Sequence, residues 1–127
     1  MATFLEMLWV GLGGFLGANA RYLLSGWVAS RLGSAFPYGT LVINVTGSFI
    51  LGFFLAFAED RLWVAPSARL LFAIGFVGAY TTFSTFEYES IHLLQNREIL
   101  FATVYLLGSV VTGGVAVVAG MVLGSLI

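Results

Sequence analysis

The residues most suited to chemistry lie in one stretch, GFVGAYTTFSTFEYES from Gly75 to Ser90. It sets the hydroxyls of Thr81, Thr82, Ser84 and Thr85 around Phe83 and Phe86, with Glu87 and Glu89 just beyond. Hydroxyls donate hydrogen bonds, and a phenyl ring is negative on its face and positive at its edge. Phe83 and Phe86, at i and i+3, fall on roughly one face of a helix and could turn their edges toward a small anion. Two more polar tracks share this character. Thr40, Asn44 and Ser48 recur at i, i+4 and i+8, and Tyr105, Ser109 and Thr112 at i, i+4 and i+7, so each set keeps to one helix face. With Arg21 added, these walls are rich in donors. A cation path would place carboxylates in mid-span. Here Glu6, Glu59, Asp60 and Glu98 stand at ends or in connections, and only Glu87 and Glu89 lie within an apolar run.

The elements that must carry these residues are membrane helices. Hydrophobic residues make up 60% of the chain and charged ones 9%, and the mean hydropathy is +1.02, far from a soluble domain. A hydrocarbon core about 30 Å thick takes about 20 apolar residues per helix. Four runs meet that need, at about residues 4–28, 40–58, 68–94 and 99–127, within a single all-α membrane domain. Ser30 to Pro37 form the first connection, Glu59, Asp60 and Arg61 close the second run, Pro66 opens the third, and Gln95 to Glu98 link to the fourth. No Lys or Arg precedes the first apolar run, so a cleaved signal peptide is not expected. The absence of cysteine excludes disulfides and thiolate metal sites. A net charge of −1 argues against nucleic acid as a partner.

Intramembrane polar groups are costly unless paired or lining a wet cavity, so three tracks in one small protein indicate a polar pathway. The third run also carries a reason to break. Gly75, Gly78 and the hydroxyl run hold a continuous helix poorly, and irregular backbone at membrane depth is tolerated where it is buried or lines water. Carbonyls exposed there could bind a cation. Glycine pairs Gly13/Gly17 and Gly120/Gly124 suit close helix crossings. The run GLGGFLG from Gly11 lacks the spacing and the preceding strand of a nucleotide loop. Arginines are balanced across the membrane, Arg61 and Arg69 on the side of the termini against Arg31 and Arg97, with Arg21 near the latter pair. Such a chain has no strong orientation bias, which suits insertion both ways and an antiparallel pair.

Three ordered motifs, GFLGANARY from Gly14, GTLVINVTGSFILG from Gly39 and GFVGAYTTFSTFEYE from Gly75, resemble the CrcB/Fluc family of fluoride ion channels. The resemblance implies four helices with the third broken near its middle, a dual-topology antiparallel homodimer, and passive export of fluoride across the cell membrane that relieves fluoride toxicity. It implies no enzymatic activity. It further implies that Phe83 and Phe86 touch fluoride and that Asn44 donates to it. By the same likeness Ser84, Thr85, Tyr105, Ser109, Thr112, Thr40, Glu89 and Arg21 belong to the pathway. The backbone carbonyls of Gly78 and Thr81, from both subunits, would hold a structural Na+ at the dimer axis. Ala79 stands where the family often has a second glycine, and Gly113 where it often has serine. The alternative reading, a small proton-coupled multidrug exporter, needs a carboxylate deep in the first span. That run offers Asn19 and Arg21 there instead.

Overall fold

The computed structural model describes residues 2–127, and every regular element among them is helical. Helix α1 (Ala2–Leu32) is followed by α2 (Tyr38–Ala58). The third passage is composite. It starts as α3 (Pro66–Arg69), widens into a π-helical stretch (Leu70–Val77), and returns to α-helix in α4 (Gly78–Tyr80). After an interruption it resumes as α5 (Phe83–Gln95), and α6 (Ile99–Leu126) completes the chain. Three of these passages are long and apolar enough to cross a membrane: Tyr38–Ala58, Pro66–Gln95 and Ile99–Leu126. At 31 residues, or about 46 Å at 1.5 Å per residue, α1 is the longest helix. It is less apolar because its middle holds Gly11, Gly13, Gly14, Gly17, Asn19 and Arg21.

Local chemistry sets most of the ends. Pro66 opens α3 at a position where its missing amide costs nothing. The first helix runs four residues past the expected end at Val28 and into the expected connection, through Ser30, Arg31 and Leu32. Nothing in Ser30–Leu32 forbids helix, and the stop is Gly33, whose φ of 85° is a conformation that side chains resist. Arg97 adopts φ 61° after α5 without being glycine. Its strain is held by a hydrogen-bonded turn in which the Glu98 amide reaches Leu93 O at 2.9 Å and the Arg97 amide reaches Leu94 O at 3.0 Å.

Two close crossings build the body of the protein. In the first, α6 lies on α2: a Cβ on Gly120 would strike the backbone of Phe49 and Phe53, one on Gly124 that of Phe53 and Phe57, and one on Gly52 that of Val117. In the second, α1 lies on the π-helical stretch: Gly13 and Gly17 face the carbonyls of Leu71 and Phe76, while Gly75 faces Val10 O. Without a driving force from water inside lipid, backbone contact of this kind supplies dispersion that larger residues would prevent. The outer faces are correspondingly apolar and open, with Phe4, Phe15, Leu23, Leu107 and Val110 all exposed. Phe36, Phe86, Leu93, Ala102 and Tyr105 form a small buried cluster where α5, α6 and the first connection meet.

Candidate functional site

The centre of the site is the interruption between α4 and α5. Thr81 (φ −87°, ψ 157°) and Thr82 (φ −148°, ψ 118°) are extended, so the third passage is broken near its middle. Hydroxyls meet part of the cost. Thr81 donates its hydroxyl to Val77 O at 2.9 Å. Thr82 caps α5, its Oγ1 accepting from the Thr85 amide at 3.2 Å. The break falls after the glycines, not on them: Gly75 lies in the π-helical stretch and Gly78 begins α4.

Other helices supply the remaining partners. Asn44 of α2 meets Thr82 twice, donating from Nδ2 to its carbonyl at 3.1 Å and accepting its amide on Oδ1 at 2.8 Å. Arg21 of α1 donates from Nε to the Ala79 carbonyl at 3.0 Å. Tyr80, buried beneath the break, stacks on Phe76 at 5.6 Å and shares a 2.8 Å hydrogen bond with Thr46.

Around this point the chain folds two recesses. The first, of about 270 Å³, brings together Asn44, Ser48, Thr81, Thr82, Phe83 and Phe86, and no charged side chain lines it. One N–H of the Asn44 amide is committed to Thr82, which leaves the second for a guest. The two phenylalanines sit 6.2 Å apart and behave differently. Phe86 is 8% exposed and Phe83 is 73% exposed, so Phe83 projects from the subunit while Phe86 belongs to its wall.

The second recess, of about 430 Å³, lies under the connection between α1 and α2, and Thr40, Thr85, Glu89 and His92 line it. Tyr105 stands between the two. Its ring meets Phe86 edge-on at 5.1 Å, and its hydroxyl donates to Glu89 Oε1 at 2.9 Å. One turn along α6, the hydroxyl of Ser109 is buried, and it is the one buried side-chain polar atom among the described residues without a partner.

The structure thus gathers Asn44, Thr81, Phe83 and Phe86 into one recess and Thr40, Thr85 and Glu89 into the other, bridged by Tyr105. Arg21 stands at the break and lines neither recess. Ser84 is exposed, and its hydroxyl lies 3.5 Å from that of Thr82. Thr112 is exposed on α6 and returns its hydroxyl to Gly108 O at 2.6 Å. Gly78 faces open space, since a Cβ there would meet nothing within 4 Å. Three contributors escape a reading by motif alone: Thr82 as cap, and Thr46 with Tyr80 as an anchor. The first was signalled by a Thr ahead of a helical run; the Thr46–Tyr80 contact joins residues too distant in sequence for any local signal.

The family model described as "CrcB-like protein, Camphor Resistance (CrcB)" matches residues 8–121. Among curated proteins, the "Fluoride-specific ion channel FluC" of Acidobacterium capsulatum is 47% identical over 121 residues, covering 95% of this chain and 97% of the relative. The protein of the same name from Koribacter versatilis is 56% identical over 98 residues, 76% of this chain and 78% of its own. That from Trichormus variabilis is 48% identical over 118 residues, 92% and 86% of the two chains.

Proposed function

The chain belongs to the CrcB family, and on that premise we infer that it is a fluoride-specific ion channel, a multi-pass membrane protein and not an enzyme. In the cell membrane it lets fluoride leave passively and so relieves fluoride toxicity. The observation that carries this reading is the first recess, where the second N–H of the Asn44 amide and the rings of Phe83 and Phe86 meet beside a helix break and no charged side chain forms the lining. Fluoride is small and strongly hydrated. A path for it must replace water with many donors, yet hold the ion weakly enough to release it.

The working unit is an antiparallel homodimer of dual topology, with the pathway completed by the second copy. The balanced arginines, the outward Phe83 ring and the open backbone at Gly78 support this. Fluoride passes Phe83, Phe86 and Asn44, then the hydroxyls of Ser84, Thr85, Tyr105, Ser109, Thr112 and Thr40, with Glu89 at the mouth. The unpartnered Ser109 hydroxyl supports the track on α6. Arg21 serves this pathway from the break.

A structural Na+ at the dimer axis fits the residues present. Thr81 is extended, so its carbonyl leaves the helical ladder, and the amide that would close on Gly78 O is engaged elsewhere. Gly78 and Thr81 would hold the ion through backbone oxygens, as a hard monovalent cation prefers. When bound, its charge offsets the cost of an anion in a medium of low dielectric.

Purified protein in liposomes loaded with fluoride or chloride tests the reading. Passive loss of fluoride under an imposed potential, with chloride retained, is expected. Equal loss of both ions, or fluoride movement that requires a proton gradient, refutes it.

A further inference from the structure

The third passage loses helical hydrogen bonds at two adjacent places, and at each a side chain from another helix has taken over. In an unbroken α-helix the Thr82 amide would close on the Gly78 carbonyl and the Phe83 amide on that of Ala79. Instead the Thr82 amide donates to Asn44 Oδ1 at 2.8 Å. The Ala79 carbonyl accepts from Arg21 Nε at 3.0 Å. The local hydroxyls do neither job, because Thr81 Oγ1 serves Val77 O and Thr82 Oγ1 serves the Thr85 amide.

The chemistry of the two side chains suits the two ends. A carboxamide carries one acceptor and a pair of donors, so Asn44 meets both the amide and the carbonyl of Thr82 as a neighbouring peptide group would. A guanidinium is always charged and suits the partly negative carbonyl end of a helical segment. A buried backbone group without a partner is costly, so each helix bond opens more cheaply when a side chain claims one of its two groups.

We propose that Asn44 and Arg21 are positioning residues that make the break: Asn44 takes the Thr82 amide from Gly78, and Arg21 takes the Ala79 carbonyl from Phe83. The Gly78 carbonyl is thereby stripped of its helical donor inside a single subunit, before any partner or ion arrives. Broken and continuous helix are then two competing states of the same passage, chosen by two side chains that lie 38 and 58 residues away in sequence. The structural part of this proposal stands on the hydrogen bonds; only the flux arm of its test rests on the channel reading.

The test is threonine-selective carbon NMR of the full-length protein in lipid nanodiscs, with passive fluoride efflux measured on the same variants. In Asn44→Ala and in Arg21→Met, the Thr81 and Thr82 carbon shifts are expected to move from the extended toward the helical range. Efflux falls with them by about 10-fold or more, as expected for losing one to two buried hydrogen bonds. Arg21→Lys, which can still donate to Ala79 O, restores the extended shifts. Shifts that stay extended in both Asn44→Ala and Arg21→Met overturn the proposal. Shifts that turn helical while efflux is unchanged leave the clamp standing and refute the channel reading of the recess. Should Asn44→Ala not assemble, Asn44→Asp keeps an acceptor for the Thr82 amide and should keep Thr82 extended; helical shifts in that variant also overturn the proposal.

Discussion

Substituting Gly47 by alanine perturbs the break without removing any polar group that could contact an ion. Gly47 lies one turn along α2 from Asn44, directly against the interruption. A Cβ there would press into Thr81 Cγ2 and come within 3.0 Å of Tyr80 Cδ2 and 3.4 Å of its Cε2. Carbon atoms rest at about 3.5–4.0 Å, so something must move. Tyr80 resists, held by Thr46 at 2.8 Å and stacked on Phe76. Thr81 cannot simply rotate its methyl away, because its hydroxyl is bonded to Val77 O at 2.9 Å. Overpacking of this kind costs about 1–3 kcal/mol, against a gain of up to about 1 kcal/mol for Ala over Gly in a helix. With the full helix gain of about 1 kcal/mol realised, global stability drops by at most about 2 kcal/mol. The strain of about 1–3 kcal/mol falls on the break itself, and corresponds to about 5- to 150-fold in the population of its native geometry. Fluoride efflux from proteoliposomes should fall within that range while thermal melting in detergent reports only the smaller net loss. Gly11→Ala is the control, since a Cβ there meets nothing within 4 Å, and should leave efflux unchanged. Wild-type efflux in Gly47→Ala would show that the Thr81 geometry is not part of the conduction pathway.

Other substitutions probe neighbouring parts. Phe83→Ile alters an exposed ring and should abolish fluoride efflux with melting and dimer assembly unchanged, whereas Phe86→Ile should also lower stability by about 1 kcal/mol by losing its edge contact with Tyr105; efflux and melting measured together separate the two. Tyr105→Phe keeps the buried ring but removes the donor to Glu89 Oε1, a bond to a charged group whose loss is expected to cost about 1.5–3 kcal/mol in denaturation; an unchanged melting curve would mean that Glu89 finds an equal partner. Thr82→Ala removes the cap of α5 and should cost about 1 kcal/mol, read by melting, with the amide of Thr85 exchanging faster with solvent.

Much of the fold was legible because its physics is local. The expected runs at 40–58, 68–94 and 99–127 match helices Tyr38–Ala58, Pro66–Gln95 and Ile99–Leu126 to within two residues, since length and apolarity are what a bilayer demands. The π-helical stretch Leu70–Val77 was not legible. Its residues are apolar on every side, so their pattern does not distinguish an i+4 from an i+5 ladder. Arg97 in the left-handed region was also hidden, because the turn that holds it is made of backbone bonds.

The site divides along the same line. Composition alone determined that the chain lives in a membrane, and the glycines and hydroxyls between Gly75 and Thr85 pointed to an interruption of its third helix in donor-rich surroundings. Those are properties of residue type and short-range spacing. Tertiary structure decided where the interruption falls and what holds it. Local propensity alone would put the break at Gly75 or Gly78, yet both stay helical and the chain opens at Thr81 and Thr82. Only there do Asn44 and Arg21, carried in by α2 and α1, reach the backbone groups that an open helix must satisfy. Whether a hydrogen bond is kept or surrendered depends on a competitor being within about 3 Å, and that distance is set by helix packing.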